Sequence, residues 1–141
     1  VRIALGSDQS TELTAALERD LRARGYDVEL LGALKTGDDD GWPGVGRRVG
    51  ESVASKTCDS GIVCCWSGTG VSIAANKVPG VRAALCNDAQ TSALAREWND
   101  ANVLALSLRV TPLAEVTAIL DAWFATQPTA DRKYRGMIEQ V

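Results

Sequence analysis

Residues 61–70 read GIVCCWSGTG: an apolar run ending in two adjacent thiols, then a Trp and a Ser-Gly-Thr-Gly turn. An uninterrupted apolar run of this length, bounded by glycine, predicts a strand over 61–65 buried on both faces and so central in a parallel sheet. Good helix residues follow over 71–76, and Pro79-Gly80 closes that segment.

The same strand-then-helix unit recurs outward in both directions. Toward the N-terminus, residues 1–5 form an apolar strand ending at Gly6-Ser7-Asp8. TELTAALERDLRARG then spaces Leu13, Leu17 and Leu21 four apart on one helix face, with Gly25 as the stop. Residues 28–31 read as a second strand, and GALKTGDDDGWPG has the Gly, Asp and Pro of a long loop. A helix over 45–55 follows, its Val45, Val49 and Val53 stripe offset by glycines at 44, 46 and 50.

Toward the C-terminus, residues 81–86 form a strand, and Asp88 or its neighbours open a helix running through SALAREW toward Asn99. Residues 103–108 form a fifth strand. Thr111-Pro112 reads as a cap followed by proline at the first position of the helix LAEVTAILDAWFATQ. The tail TADRKYRGMIEQV predicts a short helix whose Met137 and Ile138 can pack on a partner subunit or on their own sheet. Five strands alternating with helices specify a Rossmann-like three-layer α/β sandwich with a five-stranded parallel sheet. One domain, 1–141, is expected, with 129–141 a terminal segment available to a dimer interface.

Of the 141 residues, 45% are hydrophobic and 23% charged, which suits a globular chain rather than a disordered or fibrous one. Lys plus Arg number 15 against 18 Asp plus Glu, so a broad nucleic-acid footprint is not expected, although a local cationic site is compatible. VRIALGSDQ lacks a signal-peptide pattern and no apolar run approaches membrane-spanning length, pointing to a cytoplasmic protein without membrane contact. Cys58, Cys64, Cys65 and Cys86 show no CxxC spacing, so reduced thiols are expected, with neither structural zinc nor disulfides. The chain has no His. Ser-His-Asp and Cys-His hydrolases are thereby excluded, and proton transfer near neutral pH falls to thiolate, carboxylate, Lys or water.

Ligands of open parallel sheets bind beyond the carboxyl ends of the strands. Asp8, Cys65, Asn87 with Asp88, and Arg109 all fall at such ends. Gly68 and Gly70 can turn backbone N–H groups toward an anion, with a helix dipole behind them, although tight turns use the same residues structurally. Neither the P-loop pattern nor GxGxxG is present, so bound ATP or NAD is not expected. Cys64 and Cys65 point to opposite faces, one a core hydrophobe and the other at the strand exit. Asp8 suits either a cap for a helix starting near Ser10 or a ligand-facing carboxylate. Trp66 and Trp98 suit either packing or a face for sugar C–H groups.

IALGSDQ at 3–9, CWSGTGVSIAANKVPGVRAAL at 65–85 and AREWNDANVLALSLRV at 95–110 together resemble the ribose-5-phosphate isomerase B and galactose-6-phosphate isomerase family over nearly the whole chain. The resemblance implies a cofactor-free and metal-free aldose–ketose isomerase acting on a small phosphorylated sugar through a cis-enediolate. It also implies a dimer, with tetramers possible, whose active sites lie between subunits. It places Cys65 as the base, Ser67 and the amides of Gly68, Thr69 and Gly70 at the enediolate oxygen, and Asp8 and Asn99 on sugar hydroxyls, with Asp100 supporting that turn. Val71 stands where some relatives carry a carboxylate base.

The departures concentrate in the site. Asp-His becomes Asp8-Gln9, the ring-opening His becomes Trp98, and the Gly after the catalytic Cys becomes Trp66. The phosphate-gripping Arg-His and Arg of the tail become Lys133, Tyr134 and Met137, with Arg132 or Arg135 able to compensate only in a shifted register. Loss of one such Arg removes a charged hydrogen bond of roughly 1.5–3 kcal/mol. A smaller or less charged polar ligand is therefore expected. Three functions remain open: a divergent isomerase or epimerase, a non-catalytic binding member or partner subunit of a hetero-oligomeric isomerase, and different cysteine chemistry on the same scaffold.

Overall fold

The computed structural model describes residues 1–35 and 41–141. Its parallel strands are β1 (Arg2–Ser7), β2 (Asp27–Gly32), β3 (Ser60–Cys65), β4 (Ala83–Leu85) and β5 (Val103–Ser107), in the order β2-β1-β3-β5-β4. Between and after them run α1 (Glu12–Ala23), α2 (Trp42–Ala54), α3 (Thr69–Asn76), α4 (Ala89–Asn99), α5 (Val116–Ala125) and α6 (Arg132–Ile138). The expected three-layer α/β sandwich with β3 at its centre is the fold observed.

Period-two alternation along the strands divides the core. Ile3, Leu5, Ile62, Cys64, Leu104 and Leu106 meet α1, α4 and α5 on one face. Ala4, Val63, Cys65, Val103 and Ala105 meet α2 and α3 on the other. Leu17 and Leu21 are wholly buried on α1, each burial contributing about 2 kcal/mol. The glycines that looked costly inside α2 have a packing role. A methyl on Gly46 would lie 2.7 Å from Ala74 Cβ and 2.8 Å from the Val71 carbonyl, so only glycine lets α2 approach α3 this closely.

Several sequence expectations are corrected. Thr11, not Asp8, caps α1: its side chain accepts from the Thr14 amide while Thr14 Oγ1 accepts from the Thr11 amide, which is a capping box. Of the loop expected over GALKTGDDDGWPG, residues 36–40 lie outside the described residues. Trp42 already belongs to α2, which starts three positions before the expected helix because Pro43 suits a first helical turn. Thr111 does not cap α5. A 3₁₀ turn at Leu113–Glu115 intervenes with no side-chain cap, and Thr111 Oγ1 is buried without a hydrogen-bond partner.

The strand expected over 81–86 is only Ala83–Leu85, as suits an edge. At Ala83 its outward-facing backbone is occupied: the Asn76 side-chain amide donates to the Ala83 carbonyl at 2.9 Å and accepts from the Ala83 N–H at 2.7 Å.

The order of strands positions the site. From β1 the chain moves outward to β2, then returns to place β3 on the other side of β1. The carboxyl ends of β1 and β3 therefore flank the crevice where such sheets receive ligands.

Candidate active site

Parallel register pairs Ser7 of β1 with Cys64 of β3, so the next residues, Asp8 and Cys65, emerge side by side at that crevice. They line a cavity of about 270 Å³ together with Trp42, Trp66, Ser67, Thr69 and Gly70. Cys64 turns into the α1–α5 face and Cys65 toward α2–α3, as the strand alternation requires. Burial raises the thiols of Cys58, to about 11, and of Cys86, to about 12, and raises Cys64 further. These three remain protonated at neutral pH and line no cavity with Asp8. Cys65, 5% exposed, is the thiol that reaches it.

The turn beyond Cys65 is held by β5. The Leu108 amide donates to the Cys65 carbonyl, and the Arg109 amide and Ser107 hydroxyl both donate to the Trp66 carbonyl, each at 3.0 Å. Gly68 then takes φ +77°, a left-handed conformation, to start α3 without a side-chain cap. The first-turn amides are thus open to an anion, and their dipoles favour negative charge there. Ser67 Oγ and Thr69 Oγ1 lie 2.7 Å apart on the solvent side of this cradle. Val71, fully buried below it, offers no proton-transfer group.

Asp8, released from helix capping, presents a buried Oδ1 with no hydrogen-bond partner. Burial raises its carboxyl above the usual range, its own backbone amide partly opposing that. An unsatisfied acceptor beside a thiol and an open helix start suits a polyhydroxylated ligand, whose hydroxyl would satisfy it. Trp66 does not fill the cradle; it stands 60% exposed at the rim. Trp42 was missed by the sequence reading. Its ring packs directly on Gly70, and the proline after it was the available sign that it opens a helix rather than sitting in a loop.

The other anticipated residues fall elsewhere. Gln9 is exposed, its backbone N–H donating to Ser7 Oγ, and Asn87 is exposed after β4. The Arg109 side chain is exposed beyond β5. Trp98 and Asn99 line a separate groove of about 540 Å³ beside β4, facing Tyr134, Met137 and Ile138 of α6. There Trp98 packs edge-on against Tyr134 with ring centroids 4.9 Å apart. Asp100, at φ +45°, ends α4 and draws in three guanidinium groups, from Arg96 at 3.0 Å, Arg135 at 3.3 Å and Arg82 at 3.6 Å. Arg135 thereby ties α6 to the end of α4. Lys133 Nζ lies 5.6 Å from the Tyr134 ring centre, Arg132 is exposed at the start of α6, and Met137 is half exposed on the groove. The chain thus brings together Asp8, Cys65, Trp66, Ser67, Thr69 and Gly70, with Gly68 shaping their turn. It holds Trp98, Asn99 and the tail in a second group.

Among the described residues no cluster of His, Cys, Asp or Glu is arranged to hold a metal ion, and no helix is long and apolar enough to cross a membrane. A family model described as Ribose/Galactose Isomerase matches residues 3–141. The chain is similar to ribose-5-phosphate isomerase B of Mycobacterium tuberculosis (strain H37Rv), 35% identical over 140 residues that cover 99% of this chain and 86% of that protein. It is similar to galactose-6-phosphate isomerase subunit LacB of Clostridium acetobutylicum, 37% identical over 100 residues, 71% of this chain and 58% of that one. The solved ribose-5-phosphate isomerase B of Clostridium thermocellum superposes with a TM-score of 0.89 at 37% identity, covering 99% of this chain and 94% of that one.

Proposed function

The chain belongs to the ribose/galactose isomerase family, and from that premise we propose that it isomerises or epimerises a sugar or sugar phosphate by proton transfer through Cys65. The thiolate removes the proton from the carbon next to the carbonyl. The electron pair of that C–H bond forms the carbon–carbon double bond, and the carbonyl oxygen becomes an enediolate oxygen. The first-turn amides of α3 and Ser67 stabilise that oxygen. In an isomerisation the proton of the neighbouring hydroxyl passes to the enediolate oxygen, the electrons left on that neighbouring oxygen form the new carbonyl, and Cys65 returns its proton to the former carbonyl carbon; in an epimerisation the carbonyl re-forms in place while a water on the opposite face supplies the proton and Cys65 keeps the one it removed. The Asp8 carboxylate accepts a hydrogen bond from a substrate hydroxyl and fixes the sugar against the thiol.

The observation that carries this reading is the pairing of Cys65 with the unpartnered Asp8 Oδ1 beside an uncapped helix start. The second group of residues suits an assembly in which Trp98, Asn99 and residues 129–141 of one protomer close the Cys65 cavity of another, making a homodimer with shared sites. With Arg135 held by Asp100 and an apolar Met137 on the groove, the substrate end received there is weakly charged.

Candidate sugars incubated in deuterated water test the chemistry. Deuterium enters at the carbon next to the carbonyl, and Cys65→Ala slows its entry by about 10²–10⁴-fold while the variant remains folded by circular dichroism. Unaltered exchange in Cys65→Ala, or no exchange with any pentose, hexose or their phosphates, rejects it. Mixing Cys65→Ala with Asn99→Ala tests the shared site. Random two-fold pairing leaves one intact site in half the dimers, so activity returns to about a quarter of wild type. A second reading, the partner subunit of a hetero-oligomeric isomerase, draws on the absence of any His and on the likeness to a protein described as a subunit. It predicts turnover only after a His-bearing relative is added.

A further inference from the structure

Trp42 is the one described residue that lines both the Cys65 cavity of about 270 Å³ and a groove of about 520 Å³ between α2 and α3. The indole stands at the start of α2, 43% exposed. It packs on Gly70 so closely that a methyl there would lie 2.8 Å from two of its ring atoms. Beyond it the groove is bounded by Arg47, Ile73, Lys77 and Pro79, with Arg47 turned toward Glu51 at 3.8 Å. A flat ring seated on a residue with no side chain thus contributes to the walls of both hollows.

We infer that Trp42 is the end wall of the substrate cavity and sets the longest carbon chain that fits beside Cys65. The inference rests on the reading of that cavity as a sugar site. It adds the element that selects substrates by length. An indole edge cannot yield to an extra hydroxymethyl group without leaving Gly70, and its single N–H offers little to compensate. Misfit by one carbon in such a pocket changes affinity by roughly 10–200-fold. Truncating the ring joins the cavity to the groove and gives longer chains the surface of Ile73 and Pro79, with Lys77 at the far end.

The test is calorimetric titration of the full chain with aldonic acids of four to seven carbons, with and without a terminal phosphate. These have no aldehyde or ketone to isomerise, so binding is read without turnover. Wild type shows a step in the series where one added carbon lowers affinity at least tenfold. In Trp42→Ala that step falls below threefold, and in Trp42→Phe, which keeps a smaller ring and secures the test should the alanine variant fail to fold, it lies between. A step that persists in both variants, a wild-type series without a step, or equal weakening at every length overturns the inference. Binding of none of the acids at millimolar concentration overturns the sugar reading with it. Failure of the deuterium assay alongside a length step abolished by Trp42→Ala would instead remove the role of Cys65 and leave the wall in place.

Discussion

Replacing three glycines by alanine, one at a time, separates the two constraints that shape the cradle. At Gly136 in α6 a new Cβ has nothing within 4 Å and the backbone is helical, so Gly136→Ala gains about 0.5–1 kcal/mol from helix propensity. Gly25 also has open space around it but sits at φ +84°, so Gly25→Ala pays only the left-handed penalty, about 1–2 kcal/mol. Gly68 combines φ +77° with crowding: its Cβ would lie 2.6 Å from Leu85 Cδ1, 2.9 Å from the Leu106 carbonyl carbon and 3.0 Å from its oxygen. Leu85 can rotate its tip away, but the Leu106 backbone is locked in β5, so the overlap adds about 1–3 kcal/mol. Gly68→Ala should therefore cost about 2–5 kcal/mol in total, a fall in melting temperature of roughly 5–15 °C for a domain of this size. Urea unfolding with a shared m-value is the assay, with deuterium exchange measured in parallel. Equal losses for Gly25→Ala and Gly68→Ala would refute the crowding argument, and a Gly68→Ala protein as stable as wild type would refute the cradle geometry as a whole.

Two further outcomes follow from the ionisable groups. Burial raises the folded-state pKa of Asp8, so the stability associated with its protonated form is complete below its unfolded value and is lost as pH rises through the folded one. Asp8→Asn should consequently melt higher than wild type at pH 7 while losing activity, the gain shrinking as pH falls toward 4; destabilisation at pH 7 would show that Asp8 has a structural partner. The raised thiols of Cys58 and Cys86 act with the same sign: their contribution is intact below about pH 9 and lost as pH climbs through about 11 and 12. Iodoacetamide at pH 8 should accordingly modify Cys65 alone in the folded protein and all four cysteines once it is unfolded. Labelling of Cys64 or Cys86 ahead of Cys65 would contradict the assigned cavity.

Much of this architecture was legible because it rests on local rules. The apolar run before Ser67 declared a central strand, period-two alternation separated Cys64 from Cys65, and the leucines of α1 and valines of α2 declared their buried faces. What the sequence concealed depends on competition between neighbours. Asp8 and Thr11 are both competent caps, and only the reciprocal bond with Thr14 decides for Thr11, leaving Asp8 free. Thr111-Pro112 carries the signature of a helix start, yet Pro112 adopts an extended backbone and a 3₁₀ turn comes first. Trp42 reaches the site through space, across from a glycine 28 positions later, and no spacing rule links the two. Asp100 pairs with Arg135, a contact between α4 and α6 that neither segment announces.

The Asn76 clamp on Ala83 has a bearing beyond this one strand. An uncovered sheet border is a template on which a neighbouring chain can lay its own backbone, and from which ribbons grow. Here both hydrogen-bonding groups of that residue are spoken for by a side chain of the same molecule. A chain approaching this margin at Ala83 finds no free backbone group there to pair with. Asn76→Ala would reopen the border and invite fibrous self-association.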